Sequence, residues 1–225
     1  MEITHFGHAA LRIVSDGTRI LVDPFISQNP FLSHGDELAT SLAADYIILT
    51  HSHEDHVGDT LAIAQRTGAT VVVLADTPIQ FLTGKAIPVM APNFGGEVQL
   101  TPTITVKFYP AWHAVTTDDR ASMSAGFALS VEGKLLYFAG DTALYSDMKL
   151  VALRQPVDMA FLPIGGYYTM TQDDALIAAS FLTAAHVLPI HYDTFPKIKA
   201  DVARFIADLP EGVGFRPAIG EPFHF

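Results

Sequence analysis

Short apolar runs separated by turn residues organise the chain from its first positions. EITHF, ALRIV and RILVD follow one another closely, the last two divided by SDGT, and this pattern predicts antiparallel strands joined by tight turns. Residues 24–44, with Pro24, Asn29, Pro30 and Gly35, read as loop. YIILT then predicts a strand, DTLAIAQRTG a helix closed by Gly68, TVVVLA another strand, and TPIQFLTGK a short helix opened by Thr77 and Pro78.

From Ile87 onward the pattern is β-rich. EVQL, TITVKFYPAW and SAGFALSVEGKLLYFAG read as strands, with Glu132 and Gly133 supplying a hairpin turn. The last third alternates. SDMKLVALR, QDDALIAASFLTAA and PKIKADVARFIADL have helical spacing, VDMAFLPIG and HVLPI read as strands, and GFRPAIGEPFHF forms a β tail. This order predicts an α/β protein with two central sheets and helices packed outside them. Without a linker, repeat or low-complexity segment, residues 1–225 are expected to form one domain.

Four apolar runs stop at side chains able to hold a metal ion: YIILT before His51, TVKFYPAW before His113, LLYFAG before Asp141, and VLPI before His191. In layered α/β folds, chemistry is mounted on the loops at strand ends, so these four positions are expected to converge on one edge. HSHEDH adds His53, Asp55 and His56. At a turn after the strand, His51 and His53 can hold one ion while Asp55 and His56 face a second. Seven candidates suit two ions better than one, because a catalytic zinc ion usually takes three protein ligands. Asp141, with two oxygens and Gly140 before it to allow close backbone approach, is assigned the bridging role.

Composition narrows the chemistry. There is no cysteine, so any metal must be held by nitrogen and oxygen, a set that suits zinc first and also manganese or iron. The 13 Lys and Arg against 24 Asp and Glu give a net charge of −11, which opposes a nucleic-acid partner. No stretch approaches the roughly 20 apolar residues of a membrane helix, and the first residues lack a secretory pattern, so a cytoplasmic protein without a membrane partner is expected. A small-molecule substrate fits this composition. Homo-oligomer formation stays open.

THSHEDH, a separate His, GD and a terminal IH resemble the metallo-β-lactamase superfamily of hydrolases. GHAALRI, LVDPFIS, AGDTALYSDMKL, LPIGGYYTM and PIHYDTFP are similar to its bacterial family of metal-dependent hydrolases related to ascorbate-phosphate lactonases. The resemblance implies a four-layer αβ/βα sandwich. It places His51, His53 and His113 on a first ion, Asp55, His56 and His191 on a second, and Asp141 between them. GGYYTM departs from the more polar stretch expected in that family, and the chain carries no added nucleic-acid-gripping module.

The mechanism expected is attack by a hydroxide, held between two ions, on an ester, lactone or phosphoester, with Asp55 both ligand and orienter. A di-iron redox protein and a non-catalytic metal-binding protein are the competing readings; His53 stands where the redox pattern typically has Glu. Asp23 is expected to hold a histidine ring or a loop amide. His8 either approaches the site from the first hairpin or is a hydrogen-bonded structural residue. Tyr168, with Tyr167, either lines a substrate cleft or simply packs. His5, His34, His186 and His224 are assigned structural roles, and NFGG a turn.

Overall fold

Asp16 and Gly17 both adopt positive φ, as a two-residue hairpin turn requires, and they join the second and third strands of the first sheet. The structure is a computed structural model that describes all residues except 76, 78–81 and 118–119, and the side chains of none of these nor of 117 and 120. Packing divides the chain into two compact units. The first comprises Met1–Asn93, Ala114–Met123 and Pro217–Phe225, and the second Phe94–His113 and Ser124–Arg216.

In the first unit β1 (Glu2–Gly7), β2 (Ala10–Ser15) and β3 (Thr18–Val22) are antiparallel, as their alternating runs predict. β4 (Tyr46–Leu49), β5 (Thr70–Val73) and the short β6 (Val89–Met90) then add in parallel, and β13 (Pro222–His224) pairs antiparallel with β1. The sheet order is β13-β1-β2-β3-β4-β5-β6. Alternate residues Ile47, Leu49, Val71 and Val73 pack with Ile26, Leu42, Ile63 and Ala64 in one buried cluster. The helix predicted over DTLAIAQRTG is α3 (Thr60–Thr67), closed by Gly68 in the left-handed conformation.

One expectation fails here. Residues 24–44 are not all loop, because α1 (Gly35–Ser41) forms within them. Asp36 and Glu37 sit in its first turn and Ala39 and Leu42 are buried, so a short amphipathic pattern was masked by the neighbouring Pro and Gly residues. The helix predicted from Thr77 and Pro78 falls largely outside the described residues.

The second unit is built on a sheet of order β12-β11-β10-β9-β8-β7. Its strands are β7 (Glu97–Thr101), β8 (Ile104–Thr117), β9 (Arg120–Val131), β10 (Lys134–Phe138), β11 (Met159–Pro163) and β12 (His186–Ile190). β9 and β10 are joined by Glu132 and Gly133, both at positive φ, as the hairpin signal predicts. β10, β11 and β12 run parallel, so their C-terminal ends share one edge. One face packs on α4 (Gln172–Phe181) and α5 (Val202–Asp208) through Ala175, Ala178, Leu182 and Phe205. Thr171 starts α4 with a reciprocal capping box to Asp174.

Across this sheet Phe127, Phe138 and Phe161 occupy register-paired positions and stack, with ring centroids 4.6 and 4.3 Å apart. All three are essentially fully buried, and burying each phenyl ring contributes about 1.5–3 kcal/mol. The helix expected over SDMKLVALR is only a 3-10 segment, Ser146–Leu150, and Pro156 downstream disfavours helical backbone at the residue before it. PKIKADVARFIADL becomes helical only at Val202, where the Asp201 carboxylate caps by accepting from the Arg204 amide (3.0 Å).

Candidate metal centre

β3 and β4 are parallel, so Asp23 and the Thr50–His51 step emerge side by side at one edge of the first sheet. The Thr50 amide donates to Asp23 Oδ1 (2.9 Å) and the Thr50 hydroxyl to Asp23 Oδ2 (2.7 Å). That oxygen also lies 2.8 Å from His56 Nδ1. Having given its proton to Asp23, the Thr50 hydroxyl can only accept from His51 Nδ1, 3.0 Å away. The network therefore selects the tautomer with hydrogen on Nδ1 for both rings, and the lone pair on Nε2. This is the usual way a metal-ligating imidazole is oriented.

His51 Nε2 lies 3.0 Å from His53 Nδ1. On the other side of the turn, the ligand atoms of His8, Asp55 and His56 lie within 4.8 Å of one another, and His8 Nε2 is 3.2 Å from Asp55 Oδ2. His8, His51, His56 and Asp23 are all buried. Gathering imidazoles this closely out of water suits a shared cation, because neutral rings supply the lone pairs and a carboxylate supplies charge. The donor set thus fits the N/O metal chemistry expected of a chain without cysteine.

The turn that makes this possible is closely packed. β4 ends at Leu49, Thr50–His53 are irregular, and α2 (Glu54–Val57) then turns Asp55 and His56 inward before Gly58. Gly58 has φ +40, and a Cβ there would come within 2.4 Å of the Pro24 carbonyl oxygen and 2.6 Å of Phe25 Cα. Asp59 fastens the opposing strand-end loop by accepting from the Ile26 and Ser27 amides (3.0 and 2.8 Å) and the Ser27 hydroxyl (2.7 Å). Thr50 and Asp59 were not singled out from sequence as positioning residues; their place just before HSHEDH and just after Gly58 is the signal that marks them.

In the second unit Asp141 follows β10 and His191 follows β12, on the shared edge of the parallel strands. Asp141 Oδ2 lies 3.1 Å from His191 Nε2 and 3.6 Å from His113 Nε2. Asp141 and His191 are each 2% exposed. The Ser124 hydroxyl donates to the Asp141 carbonyl (3.1 Å), and the Trp112 amide to the Thr142 hydroxyl (2.9 Å), which ties the His113 strand to the Asp141 loop. His113 departs from the expectation of a strand end: β8 continues to Thr117, so His113 projects from within the strand. The run WHAVTT keeps a β pattern past the histidine, which explains the extension.

Asp23, expected to hold a histidine ring or a loop amide, contacts both His56 Nδ1 and the Thr50 amide. His8, for which either role stood open, contacts Asp55; the neighbouring His5 ring bonds the His8 carbonyl (3.3 Å). Tyr168 lies on the loop between β11 and α4, 49% exposed, its ring edge-on to that of Tyr167 at 4.7 Å.

Residues 18–192 match the sequence model of the β-lactamase superfamily domain. The chain belongs to the metallo-β-lactamase superfamily. Within it, the chain is 49% identical to a UPF0173 metal-dependent hydrolase of Ligilactobacillus salivarius over 99% of both chains, and 45% identical to one of Oenococcus oeni over the whole of both. These likenesses place it in a family of metal-dependent hydrolases. Igni18, a metallo hydrolase from Ignicoccus hospitalis, superposes with a TM-score of 0.89 at 33% identity, covering 100% of this chain and 98% of that one. An isothiocyanate hydrolase from Delia radicum gut bacteria shares the fold, with a TM-score of 0.79 at 19% identity over 100% and 99% of the two chains. The α/β class expected of an αβ/βα sandwich is the one this superfamily has, and the two mixed sheets with their helices agree with it. Among the described residues no helix is long and apolar enough to cross a membrane.

Proposed function

We propose that the two units work as one hydrolase domain, in which their ligand sets together hold a pair of divalent ions and cleave an ester, lactone or phosphoester of a small molecule. The observation that carries this reading is the close pairing of candidate ligand atoms in each unit: His51 Nε2 with His53 Nδ1 at 3.0 Å, and His191 Nε2 with Asp141 Oδ2 at 3.1 Å. In the proposed site His51, His53 and His113 would hold one ion and Asp55, His56 and His191 the other, with Asp141 contributing its carboxylate to the same centre. Zinc is the first assignment, with manganese or iron as the alternatives.

Bound ions of this kind acidify a water molecule and polarise the bond it attacks. The chain's own residues do the rest. Asp23 and Thr50 keep the His51 and His56 rings in their ligating tautomer. Asp55, braced by His8, orients the attacking water with its carboxylate. Membership of a family of metal-dependent hydrolases favours this reading over the redox and non-catalytic alternatives.

Elemental analysis of wild type and the Asp141→Ala and His191→Ala variants, paired with a panel of esters, lactones and cyclic phosphodiesters, tests the proposal. Each variant is expected to lose about one ion per chain and its turnover to fall to background. Full turnover in a variant that has lost an ion contradicts the assignment.

A further inference from the structure

The loops that follow β11 and β12 carry chemistry that the ligand set does not use. β10, β11 and β12 are parallel, so these loops leave the same sheet edge as Asp141 and His191. Gly165, at the start of the first loop, has no room for a side chain: a Cβ would come within 2.4 Å of the His191 carbonyl oxygen and 2.9 Å of Ile198 Cβ. The second loop is closed on itself by the Asp193 amide donating to the Ile198 carbonyl (2.7 Å). The two loops are therefore packed together, directly beside the His191 backbone.

On this packed base stand Tyr167, 62% exposed, and Tyr168. The Lys197 ammonium lies 4.6 Å above the Tyr167 ring centroid and 3.3 Å from its hydroxyl, to which it donates. Of the cations that follow it in the chain, Lys199 is engaged by Asp193 (3.8 Å) and Arg204 by Asp173 and Asp208 (2.8 and 3.2 Å). Lys197 has no carboxylate partner among the described residues. Lys107 and Lys149 also lie over rings, those of Tyr109 and Phe181, but outside these loops; beside His191, in a chain of net charge −11, the Lys197 ammonium is placed to meet an anion from outside.

We propose that Lys197 and Tyr167 form the recognition site for an anionic group, a carboxylate or phosphate, that the substrate carries away from the bond being cut. The ammonium and the phenol hydroxyl both donate to it, and the faces of Tyr167 and Tyr168 receive a planar or ring-shaped body between anion and scissile bond. Lys197 and Tyr167 are specificity residues that touch the substrate but not the reacting atoms. This inference rests on the hydrolytic reading of the adjoining ligand set.

Calorimetric titration of the metal-loaded protein with terephthalate, and with terephthalamate, which lacks the second negative charge, tests it. Wild type is expected to prefer terephthalate. Lys197→Ala lowers the ratio of the two affinities about tenfold, the worth of one hydrogen bond between charged groups, while Lys197→Arg retains it. Tyr167→Phe lowers the ratio by a smaller factor. A ratio unchanged in Lys197→Ala, or no preference in wild type, overturns the inference. Failure of the hydrolytic reading shows separately, as a silent substrate panel with the metal content intact, and leaves the titration to decide the role of Lys197.

Discussion

Tyr137 shows how a single buried group sets a pH limit on the fold. It is fully buried beneath the helices of the second unit, and that burial pushes its phenol well above the ordinary value of 10.0. The folded state thus holds the proton more tightly than the unfolded chain. Its contribution to stability is complete below pH 10 and is lost as pH rises from there toward the raised folded value. Denaturant midpoints measured between about pH 9 and pH 11 are expected to fall steeply for the wild type and much less for Tyr137→Phe. At this scale the candidate ligands were legible, because HSHEDH is a dense and ordered signal. Thr50 and Asp59 were not, because a hydroxyl or carboxylate that orients a neighbour leaves no spacing of its own in the sequence. His8 was half legible: nothing in FGHAA says which long-range partner its ring meets, and Asp55 is 47 positions away.

Elements carry the site through their ends. The HSHEDH turn passes so close to Pro24 and Phe25 that only hydrogen fits at Gly58. Gly58→Ala is expected to cost about 2 kcal/mol or more, from the crowding together with the positive φ, and to loosen the candidate metal ligands with it. Thermal unfolding and metal titration of the purified variant measure both effects. Strands were the most legible elements, since β-branched and aromatic runs such as TVVV and KLLYF pack on both faces and allow little else. Helices in the last third were read too long because amphipathic spacing begins before the point where Asp201 caps and runs on beyond Leu150, where the 3-10 segment ends. The strand β8 was read too short because a histidine at position 113 looks like the end of an apolar run, although the backbone simply continues.

For the molecule as a whole, the ligand sets concentrate imidazoles and carboxylates that the fold must hold close together with or without a cation. Ion binding is therefore coupled to folding. Stripping the protein with a chelator is expected to destabilise it by about 2.7 kcal/mol relative to protein held at a metal concentration a hundredfold above its dissociation constant. For a chain of this size that is a loss of roughly 5–10 °C in Tm, restored by returning the metal and followed by scanning calorimetry. The sheet order lay beyond the reach of periodicity, which reveals strands without revealing which of them become neighbours; the reversal from antiparallel to parallel pairing after β3 is decided by crossover packing.

The stacked phenylalanines of the second sheet lie in the strands, whereas Tyr167, Tyr168 and Lys197 lie in loops beyond the strand ends. Durability and the selectivity proposed for these loops are thus written in different parts of the polypeptide. A lineage built on this scaffold is free to trade loop side chains and acquire new metabolites as prey, while the aromatic spine keeps its architecture unaltered.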